Sequence, residues 1–172
     1  MKMKKLPSVK AVVALTLICL ITAATLGAVN YFTSPIIEKN EIERENAALR
    51  QVLPEGDAFD AIDISDLGTD KRVTAVYRES DGKGYVFKVT VNGYSSGLTI
   101  LCGVGNDGSV TGALCLASSE TLGYEKNYGI EFEGRTLADV ADVDTVSGAT
   151  MTTEGYREAV KLALETFEKI SK

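Results

Sequence analysis

The stretch Asp144-Thr145-Val146-Ser147-Gly148-Ala149-Thr150 sets hydroxyls beside very small residues, and Thr152 and Thr153 follow it. A turn of this make-up, placed just before an amphipathic run, leads into a helix N-terminus. There the first N–H groups have no intrahelical acceptor and the helix dipole favours negative charge. Phosphate is the usual guest at such a point. Gly148 and Ala149 leave room for a bulky group to come close to the backbone. On residue types alone a second reading stands beside this one: a plain hydroxyl cap on the helix, with Thr152 or Thr153 as the capping residue.

The rest of the composition narrows the chemistry. The chain has 172 residues, no His and three Cys. A Ser-His-Asp or Cys-His nucleophile, an H-E-x-x-H zinc site and a His-ligated haem are all excluded within this chain. A net charge of -6 argues against nucleic acid, whose phosphates need a basic face. Asp57, Asp60, Asp63 and Asp66 recur every third residue but lack the glycine-bearing loop of a calcium hand, so an acidic linker is expected and no metal site. Gly103-Val104-Gly105-Asn106 precedes a hairpin rather than a helix and is no dinucleotide fingerprint. Cys102 and Cys115 fall on neighbouring strands. The residues alone leave both a disulfide and two small core side chains open, since the strand register decides.

The elements that must position the hydroxyl-rich turn come next. Residues 11–32 run without a charge, long enough for a helix to cross a bilayer, which takes about 20 residues. Lys2, Lys4, Lys5 and Lys10 precede this run, and every acidic residue follows it. That asymmetry predicts a cytoplasmic N-terminus and an outer domain on the far side of the membrane. A cleavable signal peptide is the rival, with a shorter apolar core and a small-x-small site that residues 22–28 match poorly. The expected organisation is a basic N-terminus (1–10), a membrane helix (11–33), a stalk helix and acidic linker (34–70), and the outer domain (71–172). Ile37, Ile42, Ala47, Leu49 and Leu53 are the apolar members of the stalk, and Pro54 ends it.

Strands are predicted over 73–79, 84–93, 97–105 and 109–118, with turns at Ser80-Asp81-Gly82-Lys83 and Asn106-Asp107-Gly108. Residues 119–135 read as an irregular loop. Tyr156, Val160, Ala163, Leu164 and Phe167 form one face of a closing helix. Antiparallel sheet plus packed helix makes an α+β domain behind a single membrane helix.

Asp-x-x-Ser-Gly-Ala-Thr (144–150) resembles the flavinylation motif of the FMN-binding domain family. That domain occurs in the G subunit of the Rnf electron transport complex and in the related C subunit of the sodium-translocating NADH:quinone oxidoreductase. Gly93-Tyr94 leading into a glycine-containing strand, and then the Asp107-Gly108 hairpin, are similar to the family's central block. Ser119-Glu120-Thr121-Leu122-Gly123 resembles its Glu-Thr-Pro-Gly segment, with Leu122 at the proline position and no His before Glu120. The chain length is closer to that of the Rnf protein.

The resemblance implies FMN joined to Thr150 by a phosphoester, installed by a separate flavin transferase that uses FAD. Asp144, Ser147, Gly148 and Ala149 would complete the recognition motif. Glu120, Thr121, Leu122, Gly123 and Tyr94 would lie near the cofactor. Beside this stand the plain readings of Glu120 as a solvated loop residue, of Tyr94 and Tyr124 as packing aromatics, and of Lys126 as a surface lysine. It also implies an electron-transfer subunit of an ion-translocating ferredoxin:NAD oxidoreductase in the cell membrane, with the other membrane subunits as partners and no independent catalysis. The alternatives are a flavinylated extracellular carrier of another complex, or a membrane-anchored binding or assembly domain without flavin.

Overall fold

A computed structural model describes residues 9–64 and 68–171, and of residues 35–42 the backbone only. Asp66 therefore lies outside the described residues, as do Lys2, Lys4 and Lys5. The chain forms two compact units, Met1–Arg44 and Glu45–Lys172, each taken by itself.

The first unit is helical. Helix α1 covers Val9–Val52 in one unbroken element, so the expected membrane helix and stalk are parts of a single helix. Val9–Ser34 is long and apolar enough to cross a membrane, with a mean hydropathy of 2.4. Its large side chains are exposed, Leu20, Leu26 and Phe32 among them, as a lipid-facing helix requires.

The second unit opens with the last residues of α1 and builds a five-stranded antiparallel sheet. Its strands are β1 (Phe59–Ile62), β2 (Val73–Glu79), β3 (Gly84–Asn92), β4 (Ser96–Gly105) and β5 (Val110–Ala117), in that spatial order. Four of the five lie where the alternation of β-branched and polar residues predicts them. The fifth, β1, sits in the stretch expected to be an acidic linker. Phe-Asp-Ala-Ile is too short and too polar to signal a strand, and it forms because β2 offers an edge: Phe59 pairs with Glu79 and Ile62 with Val76.

Both faces of the sheet are covered. Helix α2 (Thr150–Ile170) lays Tyr156, Val160, Ala163 and Leu164 against Phe87, Val89, Ile100 and Cys102 on one face. On the other, Ala48, Leu49, Val52 and Leu53 meet Val86 and Leu101. Coverage on both sides explains why β4 is buried almost continuously instead of alternating. Ala48, not the expected Ala47, turns inward.

The end of α1 comes unusually close to the sheet. Gly103 and Gly112 are cross-strand partners, and a Cβ on Gly103 would overlap the Val52 carbonyl. The Thr111 hydroxyl donates to that same carbonyl at 2.6 Å. The register sets Cys102 opposite Ala113 and Cys115 opposite Ile100, and both thiols are free.

Candidate functional site

The hydroxyl-rich turn is held by backbone anchors rather than by its own side chains. Tyr128 donates its hydroxyl to the Asp144 carbonyl at 2.7 Å. Arg157 donates to the Val143 carbonyl at 3.1 Å. The Val146 N–H donates to the Thr153 hydroxyl oxygen at 3.2 Å, and the Ala149 N–H to the Val146 carbonyl at 2.9 Å. Tyr128 is itself fixed edge-on against Phe132 and Tyr156, and those two rings stack at 5.5 Å. This aromatic knot is made by a short helical turn, Tyr128–Phe132, inside the stretch expected to be an irregular loop.

The turn ends in Gly148, whose φ of 87° is open to glycine and strained for other residues. Helix α2 starts at Thr150. Its N-cap is Ala149, which offers no side-chain acceptor, so neither Thr152 nor Thr153 caps the helix. Thr153 is buried and bonds back to the Ala149 carbonyl at 3.1 Å. Thr152 is engaged elsewhere. The first N–H groups of α2 are thus left without a protein cap, and the Thr150 side chain above them is exposed.

Beside this helix start lies a cleft of about 420 Å³ lined by Tyr94, Glu120, Leu122, Tyr124, Thr150 and Met151 among others. Two distant stretches of sequence meet here, the turn before α2 and the loop after β5. Glu120 joins them. Its Oε1 accepts the Ser95 N–H at 2.9 Å and its Oε2 accepts the Thr152 hydroxyl at 2.5 Å. The close approach depends on Gly93, because a Cβ there would stand 2.5 Å from Glu120 Oε1.

Seven of the expected residues line the cleft: Tyr94, Glu120, Thr121, Leu122, Gly148, Ala149 and Thr150. Tyr124 lines it as well, while Lys126 does not. Gly123 precedes the short turn Tyr124–Lys126 in a left-handed conformation. Ser147 is exposed outside the cleft, and Asp144 lines a second, smaller depression with Arg135 and Thr145. Glu120 lines the cleft, and its oxygens brace the two halves of the site.

Two lining residues, Met151 and Glu125, had no sequence signal, and Thr152 reads there only as a candidate helix cap. Met151 is 59% exposed and widens the apolar rim made by Tyr94 and Leu122. Thr152 is buried as the partner of Glu120. Glu125 is 2% exposed, which nothing in Gly-Tyr-Glu-Lys-Asn announces. Among the described residues no cluster of His, Cys, Asp or Glu is arranged to hold a metal ion.

The cleft is mostly apolar and is lined on one side by an uncapped helix start that bears the Thr150 hydroxyl. Such a shape suits a planar aromatic ligand with an anionic tail. Comparison with known proteins agrees with that description. Residues 93–165 match the FMN-binding domain, and residues 1–52 match the RnfG N-terminal region. The chain is 25% identical to the G subunit of the Na(+)-translocating ferredoxin:NAD(+) oxidoreductase complex of Acetobacterium woodii, over 92% of this chain and 90% of that one. It is 28% identical to the G subunit of the ion-translocating oxidoreductase complex of Shewanella baltica, over 95% and 91%. It is 26% identical to the G subunit of the proton-translocating ferredoxin:NAD(+) oxidoreductase complex of Clostridium ljungdahlii, over 88% and 86%.

Proposed function

Since the chain belongs to the FMN-binding domain family, with the RnfG N-terminal region ahead of that domain, we propose that it is the flavin-bearing electron-transfer subunit of an Rnf-type, ion-translocating complex. FMN is joined to Thr150 through a phosphoester. Residues 1–10 lie in the cytoplasm, 11–33 span the bilayer, 34–70 connect, and the FMN domain faces the outside. The other membrane subunits are its partners, and a flavin transferase attaches the cofactor.

The observation that carries this reading is the position of Thr150. It is the first residue of α2, exposed, and lines the cleft beside the small residues Gly148 and Ala149. The uncapped N–H groups and dipole of α2 would hold the phosphate. Tyr94, Leu122 and Met151 would cover an aromatic ring system, and their exposure leaves room for exchange with a redox partner. Bound flavin supplies the redox chemistry; the chain supplies position and field. With no His to activate it, the Thr150 hydroxyl depends on an outside enzyme to form the ester. Tethering also keeps the cofactor from being lost by dilution outside the cell.

The test is co-expression of the full chain with a flavin transferase. A fluorescent band should survive denaturing electrophoresis and intact mass should rise by roughly 440 Da, the mass of an esterified FMN. Thr150→Ala should abolish both while leaving the fold unchanged, because its side chain is exposed. No fluorescent band from the unmutated chain would sink the proposal.

A further inference from the structure

We propose that the face around the cleft docks a redox protein with a cationic contact surface, and that carboxylates on this face steer that partner to the flavin. This rests on the reading that the cleft takes FMN. Among the described residues of the second unit, the large apolar side chains that stand exposed are Tyr94, Leu122, Tyr124, Ile130 and Met151. Four of them line the cleft. Ile130 does not, yet it is 66% exposed on the turn Tyr128–Phe132, which packs against the turn Tyr124–Lys126. Exposed apolar side chains gathered together and rimmed by polar ones mark an interaction surface. A cofactor in the cleft covers the cleft's own lining and leaves Ile130 to a larger partner.

Charge selects the occupant. Residues 120–157 hold eight carboxylates against three basic side chains, Lys126, Arg135 and Arg157. Arg135 is paired with Asp139, and Arg157 is bound to the Ala141 and Val143 carbonyls. Glu131, Glu133, Asp142, Asp144 and Glu154 are exposed and enter no ion pair among the described residues. Glu131 adjoins Ile130, and with Asp142 and Asp144 it lines the depression beside the turn that ends at Thr150. Glu154 lies three residues along α2 from Met151. A second copy docked face to face would set like charges against each other. An anionic lipid surface would be repelled in the same way. A protein with Lys and Arg around an apolar centre is attracted and steered.

The test uses the flavinylated full chain held in phosphatidylcholine nanodiscs, with cytochrome c, a basic haem protein, as the probe. The flavin is reduced first, and its oxidation is followed by stopped flow. Each ferric haem takes one electron, so two cytochrome molecules oxidise one reduced flavin, whose protons pass to water. The second-order rate should fall about tenfold from about 0.01 to 0.15 M salt, as the Debye length shrinks from about 30 to 8 Å. E131Q/E133Q/E154Q should be about threefold slower at low salt, with a shallower salt dependence. E55Q/D81N/E168Q, which neutralises exposed carboxylates elsewhere on the unit, should match the unmutated chain. Gel fluorescence should show equal flavin attachment in all three. Attached flavin with the same salt dependence in E131Q/E133Q/E154Q as in the unmutated chain would overturn the docking face and leave the flavin reading intact. A dimer at low salt, or co-flotation with phosphatidylglycerol vesicles, that Ile130→Ser abolishes would give the face to a second copy or to lipid and overturn it too. No attached flavin on the unmutated chain would remove both readings. Should the variants fail to fold by circular dichroism, carbodiimide cross-linking of the unmutated chain to cytochrome c decides. Links at Glu131, Glu133 or Glu154 support the face, and links confined to other carboxylates refute it.

Discussion

Glu120→Ala should loosen the site and the outer domain together. The substitution deletes the acceptor of the Ser95 N–H and of the Thr152 hydroxyl, which are bound at 2.9 and 2.5 Å. Thr152 is 6% exposed, so water does not readily replace its lost partner. A hydrogen bond to a charged group contributes about 1.5–3 kcal/mol, and Glu120 is only half-buried, so about 3 kcal/mol for the pair is the working figure. A unit the length of residues 45–172 unfolds with an entropy of about 0.27 kcal/mol/K, which turns that loss into a Tm lower by about 11 °C.

Glu120→Gln separates shape from charge. The amide oxygen still accepts one donor, and the Thr152 hydroxyl must rotate to accept from the amide nitrogen, so about half the loss is expected. The assay is thermal unfolding of the full chain in detergent, followed by near-ultraviolet circular dichroism of the tyrosines. This carboxylate hydrogen-bonds the Tyr94 and Thr152 sides of the cleft to each other, so covalent flavin in Glu120→Ala should also show a broadened visible spectrum. Equal Tm values for Glu120→Ala and the unmutated chain would refute the bracing role and return Glu120 to the ordinary solvated loop carboxylates.

Two further outcomes follow from the scaffold. Gly103→Ala drives a methyl into the Val52 carbonyl and should destabilise the outer unit by about 3 kcal/mol, seen as a lowered urea midpoint with an unchanged slope. Acid stability should depend on Asp70, which Arg72 holds well below the usual carboxylate range at about 2, while Arg72 in turn pairs with Glu158 on α2. A depressed carboxylate stabilises the fold above its unfolded value, near 3.8, and that contribution fades as pH falls toward about 2. Asp70→Asn should therefore flatten the loss of stability between pH 4 and 2, measured by urea unfolding across that range.

Much of the fold was legible because its signals are local. The charge-free run, the β-branched alternation of β2 to β5 and the apolar face of α2 each follow from residues within one element. What escaped was set by contacts made elsewhere. Strand β1 exists because β2 presents an unpaired edge. The buried face of residues 48–53 is chosen by the Gly103–Gly112 pair some fifty residues later in the chain. The 3-10 turn at Tyr128–Phe132 forms around Tyr156, and no short window contains both.

The site divides along the same line. The turn 144–150 announced itself because a glycine, an alanine and hydroxyls before an amphipathic helix are a local statement about a helix start. The roles of the two glutamates were not local. Glu120 and Glu125 stand five residues apart in a loop of ordinary polarity, and sequence offers no means to tell them from each other or from solvated residues. Burial and partners do. Glu120 answers to Ser95 and Thr152, which belong to the β3–β4 turn and to α2, so it serves the fold. Glu125 answers to Ser118 alone, and its other oxygen is buried without a partner among the described residues. A buried acceptor without a partner is held at a cost that only the folded structure reveals.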